Sequence, residues 1–179
     1  MKNFSEATNF IWSIAELLRG DYKQSEYGKV VLPMTIIRRL DCVLTDTKQK
    51  VMEQLPKVQA MNVQNIDPIL NNIAGYNFHN HSKYDFDSLI ADPENIAANF
   101  RNYINGFSDS ARDILDNFKF EEQINRLDDA NLLFMVVKRF QEIDLHPKRI
   151  DNTHMGYIYE ELIRRFSEQI GRASCRERV

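Results

Sequence analysis

The chain is poor in the residues and patterns that most enzyme sites need. It has six glycines in 179 residues, and they form no Gly-x-Gly-x-x-Gly, no P-loop and no glycine-rich strand-to-helix turn. No nucleotide cradle can therefore be read from it. It has two cysteines, no Cys-x-x-Cys and no His-Glu-x-x-His, so neither a zinc cluster nor a metalloprotease motif is present. No apolar run approaches the roughly 20 residues needed to span a bilayer, so no membrane partner is expected. The N-terminus, Met-Lys-Asn-Phe-Ser-Glu, lacks the apolar core of a secretory signal. With so few cysteines, the expected compartment is the reducing cytoplasm. An excess of positive charge is also missing. The 23 Lys and Arg stand against 26 Asp and Glu, for a net charge of −3. No global field draws nucleic acid, and any such contact must come from a local patch.

What the chain does have is apolar periodicity. Its 43% apolar and 27% charged residues are those of a globular domain with a core of its own. Residues 17–44 organise the rest. A helix ends in Leu17, Leu18 and Arg19 at Gly20, which tolerates positive φ. A polar loop follows with Asp21, Lys23, Glu26 and Lys29 interleaved. A second helix then carries Val30, Val31, Met34, Ile37, Leu40 and Leu44 at steps of three and four, the mark of a buried stripe. Arg38 and Arg39 fall off that stripe, which suggests a surface position.

The same spacing predicts a mostly α, multi-helix bundle. An amphipathic helix over 3–18 is capped by Asn3 or Ser5. The second helix begins between Ser25 and Lys29, with a start near Gly28–Val30 that puts Pro33 in its first two turns and a kink at Pro33 as the alternative. It breaks near Asp46 and resumes over Thr47–Leu55, and residues 56–65 read as a loop or weak turn. Asp67-Pro68 opens a short helix that ends before Gly75. Residues 76–90, rich in aromatics, Asn and His, read as a short hairpin or an irregular excursion. Further helices follow from Asp92-Pro93 to Gly106, from Ser108 or Asp109, from Asp129 to Glu142, and from about Asn152 to Glu168, while Phe120–Leu127 reads as a helix or turn. Residues 1–169 form one helical domain. Residues 170–179 carry no apolar stripe, read as a translated sequencing adapter, and are expected to stand outside the fold. Without them the chain has 20 basic and 25 acidic groups, and the natural polypeptide would continue differently after Gln169.

Few residues suggest chemistry. His79-Asn80-His81 is a dense histidine pair in a polar loop, read as solvated rather than metal-binding because no third ligand is near in sequence. Cys42, among apolar neighbours, reads as a buried inert thiol. Glu160 and Glu161 lie four before Arg164 and Arg165, so i,i+4 ion pairs are the ordinary reading. The candidates for contact with DNA or a partner are Arg19, Lys23, Gln24, Lys29, Arg38 and Arg39 around the first turn, with Arg164 and Arg165 near the end. Lys138, Arg139, Lys148 and Arg149 are further basic positions. Tyr22, Tyr27, Tyr157 and Tyr159 interleave with these charges, which suits a partner-facing surface. No catalytic, cofactor-binding or metal-ligating residue is assigned.

Several blocks in order carry a resemblance. Asn9-Phe10-Ile11-Trp12-Ser13-Ile14-Ala15-Glu16-Leu17-Leu18-Arg19-Gly20 is followed by Tyr27-Gly28-Lys29-Val30-Val31-Leu32-Pro33 and Arg38-Arg39-Leu40-Asp41. Asp144-Leu145-His146-Pro147 and residues 155–168, from Met155-Gly156-Tyr157 to Phe166-Ser167-Glu168, come later. Together they resemble the N-terminal helical domain of the modification (M) subunit of type I restriction–modification systems, across nearly all of residues 1–169. The resemblance implies a parent that methylates adenine N6 in DNA using S-adenosylmethionine. It also implies a specificity (S) subunit, a second M subunit and, in the nuclease form, a restriction (R) subunit. Its helical domain would clamp DNA, help sense target methylation and dock subunits. The family's catalytic Asn-Pro-Pro-Tyr/Phe motif and cofactor loop have no counterpart here, since the chain holds no Pro-Pro pair. No catalytic or cofactor residue is carried over, and these residues alone are expected to be inactive. A purely protein-interaction helical module is the alternative, favoured by the negative net charge.

Overall fold

The structure is a computed structural model and describes residues 2–177. The described residues form ten α-helices, with three short 3₁₀ turns between them: α1 (Lys2–Ile14), α2 (Gly28–Leu44), α3 (Lys48–Ala60), α4 (Asp67–Ala74), α5 (Phe86–Ile90), α6 (Ile96–Asn105), α7 (Asp109–Asn117), α8 (Phe120–Asp129), α9 (Leu133–Gln141) and α10 (Asn152–Glu177). No β-strand occurs among the described residues, and the mostly α, multi-helix expectation holds.

The apolar stripe of α2 places that helix at the centre. Val30, Val31, Met34 and Ile37 are fully buried, and α1, α8, α9 and α10 all pack against α2. Each such side chain removed from water contributes roughly 1.5–3 kcal/mol, so this stripe is the chief reason the four neighbours converge. Pro33 lies inside α2 without ending it. α1 lies along α10, with Trp12 against Phe166 at a ring separation of 4.7 Å. A second aromatic group, Phe86, Phe100, Tyr103, Phe107 and Phe120, ties α5, α6 and α8 together edge to face. α3 and α4 pair with each other.

Several boundaries differ from those expected. α1 begins at Lys2, ahead of Asn3 and Ser5, and its last turn tightens into a 3₁₀ turn over Ala15–Leu18. α3 continues through Pro56 to Ala60, where a loop or a weak helical turn was expected. Val51 and Val58, seven residues apart and both buried, carry one apolar stripe across the proline, so packing outweighs the lost hydrogen bond. α8 continues to Asp129, and Asn131 at φ 58° turns the chain, so α9 starts only at Leu133. Ile158, Leu162 and Phe166 of α10 are buried as the periodicity requires. That helix nevertheless runs on to Glu177, through residues expected to lie outside the fold, and Ile170 on it is half exposed. The remainder of that stretch, 178–179, lies outside the described residues.

Residues 76–85 form the irregular excursion and not the hairpin. The segment is pinned to the α6–α7 connection by one isolated bridge, Asn80 with Phe107. His81 N–H donates to the Gly106 carbonyl at 2.8 Å, and Ser108 N–H to the His79 carbonyl at 3.0 Å. Gly106 is required there, because a Cβ would lie 2.6 Å from the Ser82 backbone nitrogen. Asp85 then caps α5 by accepting from Ser88 N–H at 2.9 Å.

Candidate nucleic-acid interface

The basic candidates divide into two groups that the fold keeps apart. The first group surrounds the loop before α2. Gly20, at φ 93°, turns the chain. Tyr22 N–H donates to the Leu18 carbonyl at 2.9 Å, which tucks the Tyr22 ring inward until it is 5% exposed. A 3₁₀ turn over Gln24–Glu26 follows, closed by Lys23 N–H donating to Glu26 Oε2 at 3.2 Å. Lys23, Gln24 and Lys29 point outward from this frame and are exposed. Their side chains form no ion pair with any described residue, which leaves them available for contact.

The loop is held from α8. The Arg126 guanidinium lies 3.9 Å from the centre of the Tyr22 ring. One of its N–H groups donates to the Asp21 carbonyl at 2.9 Å and to Glu26 Oε2 at 3.0 Å. Tyr22 O–H donates to Gln123 Oε1 at 3.0 Å. Burial, opposed by the Arg126 charge, pushes the Tyr22 hydroxyl up to about 12, so it stays a hydrogen-bond donor at neutral pH. Desolvation by itself would raise the Glu26 carboxyl. The Arg126 and Lys23 hydrogen bonds, with the charges of Arg126 and Lys29, outweigh it and hold Glu26 below the usual range.

α10 approaches the same loop. At Gly28 an added Cβ would lie 3.3 Å from Phe166. Phe166 thus sits against the start of α2, and Arg165 is its neighbour on α10. Arg165 donates to Glu161 at 3.0 Å and to Asn9 at 3.2 Å, above the Trp12 ring. Arg164 is clasped by Glu161 and Glu168. Its hydrogen bonds and those of Arg165 hold the Glu161 carboxyl down to about 2. Arg19 pairs with Glu16 at 3.2 Å in the open.

Arg38 and Arg39 are elsewhere, and the expected surface position is corrected. Arg39 is 8% exposed. It donates to the Leu145 and Ile150 carbonyls at 2.6 and 2.7 Å and to Asn152 Oδ1 at 2.9 Å. Arg38 donates to the Ile143 and Gln141 carbonyls at 2.9 and 3.0 Å and pairs with Asp41 at 3.0 Å. Both close the turn between α9 and α10, where the chain around Pro147 leaves backbone carbonyls without helical partners. The block Arg38-Arg39-Leu40-Asp41 and the block Asp144-Leu145-His146-Pro147 are thus the two halves of one internal joint.

Two buried polar features gave no usable sequence signal. His79, expected in solvent, is fully buried. Its Nδ1 lies 2.8 Å from Asn71 Oδ1 and its Nε2 lies 2.9 Å from His81 Nδ1, with Asp67 at 3.9 Å. Burial, and then the His81 charge, push His79 down to about 4. Lys48 donates to Asn80 Oδ1 at 2.8 Å and to the Tyr84 carbonyl at 3.1 Å, and burial lowers it to about 8. It lines a cleft with Asp41, which accepts from Tyr103 O–H at 2.8 Å. Cys42 is a buried free thiol that desolvation pushes up, as expected of an inert one. Arg126, Gln123 and Lys48 each act on partners far away in sequence, so no local pattern marked them.

Residues 7–140 match the family model of the HsdM N-terminal domain. That is most of the chain, and the chain belongs to this family, the N-terminal domain of the methylase (M) subunit of type I restriction–modification systems. No curated protein and no solved structure matches it.

Proposed function

Starting from that membership, we propose that the domain clamps DNA and docks the subunits of a cytoplasmic type I adenine methylase, with the Gly20–Lys29 loop as its DNA-facing element. The observation that carries this reading is the loop itself. Lys23, Gln24 and Lys29 are exposed, and neither lysine pairs with an acid among the described residues, on a backbone fixed by Tyr22, Glu26 and Arg126. Cations carried on a held backbone suit phosphate contact, which sets affinity and register without reading sequence. The target would be read by the specificity subunit. A second M subunit and a restriction subunit would complete the assembly. Methyl transfer from S-adenosylmethionine is assigned to the rest of the complete subunit, and no residue of this chain is given a part in it.

The test is DNA binding by the assembled methylase carrying Lys23→Ala and Lys29→Ala. Affinity should fall, and the dependence of log affinity on log salt should become shallower by about 2. An unchanged salt slope, with assembly verified by size, would sink the reading.

A purely protein-docking module is the second reading. It is favoured by the paired state of Arg19, Arg164 and Arg165 and by the exposed apolar Tyr157 and Ile163 on α10. On that reading Ile163→Asp impairs assembly, while the lysine pair leaves DNA binding untouched.

A further inference from the structure

We propose that Arg126 of α8 is the positioning residue for the DNA-facing loop, acting through Tyr22, Asp21 and Glu26 and not through contact with phosphate. The inference rests on the reading of that loop as the DNA contact and adds the device that presents it. Three contacts from one guanidinium fix three points of the loop. Its flat face covers the Tyr22 ring at 3.9 Å. One nitrogen reaches both the Asp21 carbonyl at 2.9 Å and Glu26 Oε2 at 3.0 Å. Glu26 in turn accepts from Lys23 N–H at 3.2 Å. The chain of contacts therefore runs from α8 to the backbone that carries Lys23. A lysine at 126 would keep the charge but could not stack and bridge together, because only the planar fork does both. The anchor on the far side, Gln123 to Tyr22 O–H, comes from the same helix. Tilting α8 would thus carry the loop with it, which links the loop's pose to the packing of α8 on α2 and α9.

A group that merely adds positive potential and a group that sets loop geometry give opposite results in two substitutions. Glu26 is an acid beside the lysines. If charge alone mattered, Glu26→Ala would remove a repulsion and strengthen DNA binding. If Glu26 and Arg126 hold the loop, Glu26→Ala weakens it. Likewise Arg126→Lys keeps the charge, so a charge role predicts wild-type binding and a positioning role predicts loss.

The experiment measures salt-dependent DNA affinity of the assembled methylase carrying Arg126→Lys, Glu26→Ala, the Lys23→Ala/Lys29→Ala pair, and Arg126→Lys combined with that pair. Thermal unfolding checks that each variant folds. The expected result is a salt slope shallower by about 1–2 for Arg126→Lys and for Glu26→Ala. Adding Arg126→Lys to the lysine pair should cost nothing more, since the contacts it presents are already gone. Wild-type binding by Arg126→Lys together with stronger binding by Glu26→Ala overturns the inference, provided the lysine pair itself weakens binding. If Arg126→Lys does not fold, Glu26→Ala decides alone by its sign. If the lysine pair has no effect, the loop does not meet DNA, and the underlying reading falls together with this one.

Discussion

Arg38 and Arg39, toward the C-terminal end of α2, and Lys23 and Lys29, around its N-terminal end, carry the same charge into different surroundings. The arginines meet a turn whose carbonyls lack helical partners, and they become its donors. The lysines meet a loop whose backbone is already satisfied by Glu26, Arg126 and its own turn bonds, and they stay in water. The difference shows that a basic residue's role depends less on its charge than on whether unpaired carbonyls lie within reach. An Arg fork suits the first situation, and a flexible ammonium suits the second. One end of α2 should therefore govern stability with little direct effect on phosphate binding, and the other should do the reverse.

The largest effect should come from breaking the internal joint. Arg39→Ala leaves the Leu145 and Ile150 carbonyls buried without their donor, and each such loss costs about 1–3 kcal/mol. A loss of about 3 kcal/mol or more in urea unfolding is expected. Arg39→Lys should recover only part of it, because one ammonium cannot reproduce the fork to Leu145, Ile150 and Asn152. Normal stability in Arg39→Ala, with a shallower salt slope for DNA, would reverse the comparison.

Acid should sharpen the comparison next. His79 has a folded pKa of about 4, below its ordinary 6.5, because burial and His81 disfavour its charged form. A group depressed in this way contributes full stability above its unfolded pKa and loses it as pH falls through the folded value. Stability should therefore decline from about pH 6.5 toward pH 4, by at most about 3 kcal/mol. The other charged groups facing the pair are Asp67, Lys48 and Asp109 for His79 and Asp67, Lys48 and Arg112 for His81. His79→Gln should flatten that decline as followed by urea midpoints, whereas Lys23→Ala/Lys29→Ala should leave it unchanged. The lysine pair should itself move stability by less than about 0.5 kcal/mol, since both residues are exposed.

These outcomes bear on how far the sequence could be read. Helix α2, the Asp67-Pro68 opening of α4, its stop at Gly75 and the Gly20 turn were legible because their causes are local: apolar spacing, a proline at the first turn, glycines at positive φ. The continuation of α3 through Pro56 was not legible, since tertiary packing of Val51 and Val58 overrides a local breaker. His79 looked like a solvated loop residue because its burial depends on Gly106 and Ser108, nearly thirty residues away. Arg38 and Arg39 looked like surface cations because the carbonyls that claim them lie about a hundred positions downstream. Lys23, Gln24 and Lys29 were recognisable as outward-facing, while Arg126, which fixes their frame, sat in a helix with nothing nearby to mark it.

Arg164 supplies the smallest effect and the cleanest control. It is a surface arginine that is paired, unlike the lysines, yet closes no buried backbone, unlike Arg39. Its partners Glu161 and Glu168 lie on the same helix and in water, where such pairs contribute little and are screened by salt. Removing it leaves Glu161 still paired to Arg165 at 3.0 Å. Arg164→Ala should therefore show no resolvable change in urea midpoint. Arg165→Ala, which also gives up Asn9 and the Trp12 face, should lower that midpoint measurably. If Arg164→Ala instead weakened DNA binding as strongly as the lysine pair, an ion pair with two glutamates would not keep a cation from phosphate. Availability would then no longer separate the two ends of α2.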